Sequence, residues 1–257
     1  QATGKDKLLQ AVERYADFIM ERFGPGEGQC KGYPGHEIAE MALARLYELT
    51  GEGKYLELSK FFLDRRGEEP HYFDQEEKER AAYEGRLYKA PEDGERYAYY
   101  QAHLPVREQS EAVGHAVRAV YLYSGMADVA RLTGDEKLSD ACRRLWDSIE
   151  REKLYVPGGM GGTHLGEAFS YPYDLPNDTA YSETCAAIGL VFFARRMLQM
   201  HPEARYGDVM EQALYNTVLA GMALDGRSGV YVNPREVVPE ASRKAGRPGQ
   251  VQGLRQK

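Results

Sequence analysis

LYELTGEGKY at Leu46–Tyr55 and VARLTGDEKL at Val129–Leu138 are two versions of one segment, 83 residues apart. Each reads as the end of a helix, a Thr-Gly stop, a short acidic turn and the start of a new helix. Glycine ends a helix well because it enters the left-handed conformation without a Cβ clash. Met200-His201-Pro202 makes a similar break farther along the chain. A helical hairpin cannot bury its apolar face alone, so repeated hairpins stack on one another. The repeat therefore predicts an all-α fold, an α/α toroid of helical hairpins. A straight solenoid of the same hairpins is the competing arrangement.

Helical periodicity extends outward from both copies. Leu8-Leu9, Val12, Tyr15-Ala16 and Ile19 recur at three- and four-residue steps and predict a helix ending near Gly24-Pro25. Further helices are predicted from Glu37 to Leu49, Lys54 to Arg66, Ser110 to Leu132, Lys137 to Arg151, Ala180 to Met200 and Tyr206 to Ala223. The stretch from Glu68 to Leu104 is charged, rich in tyrosine and weakly periodic, and reads as a long, partly helical excursion. Tyr155 to Asp178 carries Gly158-Gly159-Met160-Gly161-Gly162 with Pro157, Pro172 and Pro176, which makes it a long Gly-rich loop. Minor short strands are allowed, Tyr231-Val232 among them. Residues 1–233 read as part of one barrel domain and 234–257 as a polar loop.

Composition narrows the function classes. With 257 residues and 42% hydrophobic residues the chain is globular and can bury a real core. A net charge of −7 lacks the electrostatic footprint of a nucleic-acid binder, and no basic run points to a membrane surface. Cys30, Cys142 and Cys185 are far apart and odd in number, which favours a reducing, cytoplasmic setting over a disulfide framework. No phosphate loop, dinucleotide fingerprint or HExxH is present.

The richest chemistry lies in GGMGGTHLGEAFSYPYDLPNDTAYSETC, Gly158 to Cys185. Loops on a rigid helical scaffold tend to carry catalytic groups. Glu167 precedes Phe169, Tyr171 and Tyr173, and a carboxyl group beside apolar rings is suited to act as a general acid. A solvated loop glutamate is the plainer reading. Glu183 and Cys185 offer a carboxylate and a thiol that could both bind zinc. Residues two apart do not share a helix face, however, so that role needs an irregular helix entry. Cys185 also reads as a small core residue. His36 and His115 sit where they could line a cavity, or be satisfied within the core. Nothing local marks Glu211 or Tyr231.

Five stretches together resemble glycoside hydrolase family 127, the β-L-arabinofuranosidases. They are GYPGHEIAEMALARLYELTG (Gly32 to Gly51), PVREQSEAVGHAVRAVYL (Pro105 to Leu122), GGTHLGEAFSYPYDLPNDTAYSETCAAIGLVFFARRM (Gly161 to Met197), MEQALYNTVLAGMALDG (Met210 to Gly226) and YVNP (Tyr231 to Pro234). DLPNDTAYSETC is the most specific of them. The resemblance implies an all-α fold that is a partial (α/α)6 barrel, and a retaining glycosidase that releases β-L-arabinofuranose from arabinofuranosides by double displacement, with a zinc-bound cysteine as nucleophile. It implies Glu167 as acid/base, Glu183 and Cys185 as two of the zinc ligands, and His36, His115, Glu211 and Tyr231 as substrate-pocket positions. The expected partner is an L-arabinofuranose-containing oligosaccharide, and a homodimer of the full-length protein is compatible with it. The family's nucleophile lies in a Cys-Cys-Pro motif expected after YVNP, and this sequence stops at Lys257 without one. The sequence is accordingly read as an internal fragment, expected to have almost no activity and a weak, incomplete zinc site. Another α/α-barrel sugar enzyme, either a two-carboxylate hydrolase or an epimerase, and a non-catalytic carbohydrate-binding scaffold are the alternatives.

Overall fold

Three αα-hairpins standing side by side carry the fold, and the two halves of the repeat belong to the first two of them. A computed structural model describes residues 4–89 and 95–236. Helix α1 spans Lys7–Arg22, α2 Ala39–Thr50, α3 Gly53–Arg65, α4 Tyr72–Tyr83 and α5 Glu95–Tyr99. Helix α6 spans Ala116–Thr133, α7 Glu136–Ser148, α8 Thr184–Met200 and α9 Ala204–Ala213. The hairpins are α2–α3, α6–α7 and α8–α9. Helices α2, α6 and α8 lie against one another as an inner layer, and α3, α7 and α9 each fold back outside their partner, in the two-layer manner of an α/α toroid.

The repeat is visible in atomic detail. Gly51 and Gly134 end α2 and α6 with φ of 76° and 69°, and their amides bond back to the Tyr47 and Ala130 carbonyls. Thr50 and Thr133 return their hydroxyls to Leu46 O at 2.9 Å and Val129 O at 2.7 Å. Glu48 and Arg131 occupy matching positions in the two copies and pair with each other at 2.5 Å. Contacts advance together along neighbouring helices, from Glu40 against Gly125 to Glu48 against Arg131 and from Val120 against Gly189 to Asp128 against Arg196, so α2, α6 and α8 run in the same direction. The inner helices therefore begin at a common end of the layer.

Close packing within this layer depends on glycine. A Cβ on Gly189 of α8 would stand 2.4 Å from Val120 Cγ2, and one on Gly125 of α6 would stand 2.8 Å from Glu40 Cβ. Backbones thus approach more closely at these two crossings than any side chain permits. Helix α6 is the middle element and is buried almost all round from Ala116 to Ala130, which explains its alanine, glycine and serine content. Trp146, Phe193 and Tyr206 fill the space between the second and third hairpins, with ring centroids 5.5 Å and 4.9 Å from Trp146. A second core of Tyr33, Tyr55, Phe62 and Phe73 lies beneath α1 to α4.

A buried ionic cluster holds the loop that enters α2. Arg66 is fully buried and donates to Glu37 Oε1 at 2.8 Å, Tyr100 O at 2.8 Å, Pro34 O at 2.7 Å and Glu40 Oε1 at 3.3 Å. Two carboxyl groups thus share one guanidinium. Burial outweighs the attraction of Arg66 and pushes the Glu37 carboxyl from 4.5 up to about 7.

Several boundaries differ from the periodicity. Helix α6 starts at Ala116 rather than near Ser110, because Gly114 takes a φ of 73° and His115 caps the first turn. The helix predicted to Arg151 passes into a π-helical turn over Ile149–Lys153, and the one predicted to Ala223 does so over Leu214–Leu219. Among the described residues the expected short strands are isolated bridges, including one between Glu183 and Val232. From residue 237 onward, the predicted polar loop lies outside the described residues, as do residues 90–94 of the excursion. No helix among the described residues is long and apolar enough to cross a membrane.

Two outcomes follow for stability. Gly189→Ala should lower the urea unfolding free energy by about 1–3 kcal/mol through overpacking. Gly207→Ala, on α9 where an added Cβ meets nothing within 4 Å, should raise it by up to about 1 kcal/mol. Similar effects at both sites would contradict the close crossing. The second outcome concerns pH. Between 4.5 and about 7 the folded chain keeps a proton on Glu37 that the unfolded chain has released, so this group makes stability fall as pH climbs through that window. Glu37→Gln mimics the protonated acid, and urea titrations across the window should show a shallower decline than for the unsubstituted chain.

Candidate functional site

The loop predicted between Tyr155 and Asp178 is indeed irregular, and it returns to the common end of the inner layer. There it forms a 3-10 turn at Leu165–Glu167, bridged by Ala168 to Thr163 and to His115. Glu167 itself has a φ of 52°, a left-handed conformation that a glutamate adopts only under local constraint. Lys153, nearly fully buried, anchors the loop from below. Its ammonium donates to Ser170 O and Ala112 O, each at 2.9 Å, and pairs with Glu111 at 2.7 Å.

Both oxygens of the Glu167 carboxylate are held. His115 Nε2 lies 3.0 Å from Oε2, and the Tyr181 hydroxyl donates to Oε1 at 2.7 Å. The position of His115 decides its tautomer. As the N-cap of α6 it accepts through Nδ1 from the amides of Val117 at 3.2 Å and Arg118 at 3.4 Å. A nitrogen that accepts from backbone amides carries no proton, so the neutral ring bears its hydrogen on Nε2 and donates it to Glu167. Burial is the main cause that pushes His115 below the ordinary histidine value, followed by the nearby Arg118 charge. The ring therefore acts as a neutral donor.

Glu183 occupies the N-cap of α8 in an extended conformation, φ −65° and ψ 138°, and its side chain makes no capping bond. This is the irregular helix entry that a Glu183/Cys185 pair requires. Because Glu183 is not yet helical, its carboxylate turns toward the Cys185 thiol instead of diverging from it. Tyr231 completes the enclosure. Its carbonyl accepts from the Thr184 amide at 2.9 Å, Val232 bridges to Glu183, and the Tyr231 hydroxyl hydrogen-bonds the Glu183 carboxylate. Asn233 reinforces the same turn, donating to Ser182 O at 2.9 Å and Thr184 Oγ1 at 3.0 Å. Burial raises the Glu183 carboxyl above its usual range and, with Glu183 alongside, pushes the Cys185 thiol up to about 12.

Ligand atoms of His115, Glu167 and Glu183 all lie within 4.8 Å of one another, close enough to hold a metal ion. The fixed tautomer argues against His115 as a ligand, since its Nε2 lone pair is used by the proton. The better donors are Glu183 and Cys185, a carboxyl and a thiol whose charged forms burial disfavours. A dication beside them would stabilise both anions.

The structure thus brings Glu167, His115, Glu183, Cys185 and Tyr231 to one place. His36 stands at its border, exposed at the entry to α2, with its ring 6.3 Å from that of Tyr121. Glu211 does not join them. It is exposed on α9 and lines a separate surface groove with Asp208, Gln212, Tyr215 and Asn216. Tyr181 escaped the sequence reading. It lies inside DTAYSETC, but a loop tyrosine has no spacing signature, and only its bond to Glu167 distinguishes it.

Comparison with known proteins identifies the fold's family. The family described as Beta-L-arabinofuranosidase, GH127 catalytic domain, matches residues 1–254. A non-reducing end beta-L-arabinofuranosidase of Bifidobacterium longum subsp. longum is 43% identical over 244 residues, which are 93% of this chain and 36% of that protein. The crystal structure of a GH127 beta-L-arabinofuranosidase from Geobacillus stearothermophilus T6 is 50% identical, with a TM-score of 0.91 over 100% of this chain and 39% of that one. Another GH127 beta-arabinofuranosidase structure is 49% identical, with a TM-score of 0.78 over 91% and 33% of the two chains. This chain spans little more than a third of the length of these relatives. Its sequence and fold make it a member of glycoside hydrolase family 127.

Proposed function

We propose that this chain supplies the acid/base half of the active site of a retaining β-L-arabinofuranosidase. The observation that supports it best is the meeting of two carboxyl groups of opposite environment at the common end of the inner helices. Glu167 is partly open and held by two neutral donors. Glu183 is buried beside a thiol.

In this reading Glu167 protonates the oxygen that leaves with the aglycone, and afterwards takes a proton from the water that releases the sugar. One group can fill both roles because the proton it gives departs with the aglycone, and the carboxylate left behind takes a new one from water in the next step. The site faces a sugar containing L-arabinofuranose, with His36, His115 and Tyr231 as pocket positions whose polar atoms border the cluster. Glu211 belongs with them only if the protein beyond the described residues brings substrate to α9. Zinc held by Glu183 and Cys185, together with ligands from outside this chain, would supply a thiolate nucleophile at neutral pH. Glu183 and Cys185 contribute the ligand pair, and Tyr231 keeps the Glu183 carboxylate turned toward it.

Two results test this reading. In the full-length protein, Glu167→Ala should lower kcat on an aryl β-L-arabinofuranoside by about 10²–10⁴-fold, with partial recovery when azide is added as an external nucleophile. Full activity without azide would rule out the acid/base role. Cys185→Ala should lower the zinc content of the purified full-length protein, measured by elemental analysis, while Cys142→Ala leaves it unchanged. Cys142 lies on α7, fully buried in the hydrophobic core. Equal zinc content in both variants would remove Cys185 from the ligand set.

A further inference from the structure

We propose that Tyr181 is a positioning residue for Glu167, and that with His115 it fixes the plane of the carboxyl group from which the catalytic proton leaves. The proposal rests on the acid/base reading of Glu167. Its basis is geometric. A glutamate side chain has three rotatable bonds, and Glu167 sits on a loop in a left-handed conformation. Nothing in that backbone fixes the carboxyl plane. Two hydrogen bonds, one to each oxygen, do: Tyr181 Oη to Oε1 at 2.7 Å and His115 Nε2 to Oε2 at 3.0 Å.

The two partners are not equivalent. His115 is tied to the first turn of α6 by its Nδ1 bonds, so Nε2 can only donate. A donor cannot accept from a protonated oxygen, so the Oε2 lone pair that faces His115 is closed to the catalytic proton. A hydroxyl both donates and accepts, so Tyr181 can rotate to hold Oε1 in either protonation state. Tyr181 is placed for this by its own surroundings. It precedes Ser182, whose amide bonds Gly161 O at 2.9 Å, and its carbonyl accepts from the Asn233 amide at 3.2 Å. Its ring meets that of Tyr231 edge to face, with centroids 6.3 Å apart. The same short segment therefore carries Tyr181 to Glu167 and Glu183 to the thiol.

Leaving-group dependence separates a positioning role from a structural one. A dinitrophenyl leaving group departs without a proton, whereas a methoxyphenyl one needs the acid. Tyr181→Phe in the full-length protein should lower kcat/KM for the methoxyphenyl β-L-arabinofuranoside by about tenfold or more, part of what general acid catalysis contributes. It should leave kcat/KM for the dinitrophenyl substrate within about twofold; kcat/KM is the quantity compared for every variant, because kcat also includes the water step in which Glu167 is the base. His115→Asn keeps an N-cap acceptor for α6 but cannot reach Glu167, and should also lower turnover of the methoxyphenyl substrate; because His115 borders the pocket as well, only Tyr181→Phe is held to an unchanged rate on the dinitrophenyl substrate. Equal losses on both substrates in Tyr181→Phe, or no loss on either, would overturn the proposal, because the activated substrate reports that the site is intact. Glu167→Gln is the control. If it discriminates between the substrates while Tyr181→Phe does not, the positioning role alone fails. If Glu167→Gln treats the two alike, the acid/base reading itself fails and the positioning role falls with it.

Discussion

The close crossing of α2, α6 and α8 is the constraint on which the rest of the molecule depends. Gly125 and Gly189 remove the side chains that would hold the backbones apart. The helices then lie parallel with their first turns at one end of the layer. A helix start presents unpaired amides and the positive end of a dipole, which suits it to hold carboxylates and polar rings. His115 and Glu183 are the residues at the starts of α6 and α8, and His36 precedes that of α2. The cluster is thus a consequence of which ends of the helices are made to coincide.

Each of those starts departs from the capping pattern in a way that suits chemistry. Ordinary caps use a serine, threonine or aspartate that does nothing else. At α6 the cap is a histidine, so satisfying the helix also fixes which ring nitrogen carries the proton. At α8 the N-cap glutamate makes no capping bond at all. Its carboxyl is spent on Tyr231 and Cys185, and the first turn relies instead on the Tyr231 carbonyl and on Asn233. Local departures of this kind concentrate at functional sites, where the surrounding fold can overrule local preference.

Buried charge supports the site from beneath. Lys153 pins the loop that carries Glu167, and Arg66 gathers the carbonyl of Pro34 and the carboxyl groups of Glu37 and Glu40 under the loop that carries His36. Such groups are costly to desolvate and contribute little net stability against an apolar alternative. Their value lies in geometry, since an ion with several fixed partners admits one arrangement. In both places the charged residue lies on a helical hairpin and the restrained segment is a loop, so the rigid scaffold dictates the position of the flexible part.

The sequence by itself determined the hairpins, their stops and the glycine-rich loop, because helical periodicity and left-handed caps are local properties. Thr50-Gly51 and Thr133-Gly134 announce the repeat without any tertiary information. Glu167, Glu183 and Cys185 were reachable only through resemblance to a family, since a carboxylate in a loop and a thiol near a helix start have no distinctive spacing. Tyr181 was not reachable at all, and Glu211, expected from the resemblance to line the pocket, stands apart on α9. The start of α6 was misplaced because the periodic residues before Gly114 imitate a helix. Only the tertiary structure decided that Glu183 leaves the helix and so faces Cys185, that His115 donates rather than accepts, and that both oxygens of Glu167 are held. Those facts depend on residues distant in the chain meeting at one end of a layer, and contacts of that kind are fixed by packing, which no local pattern encodes.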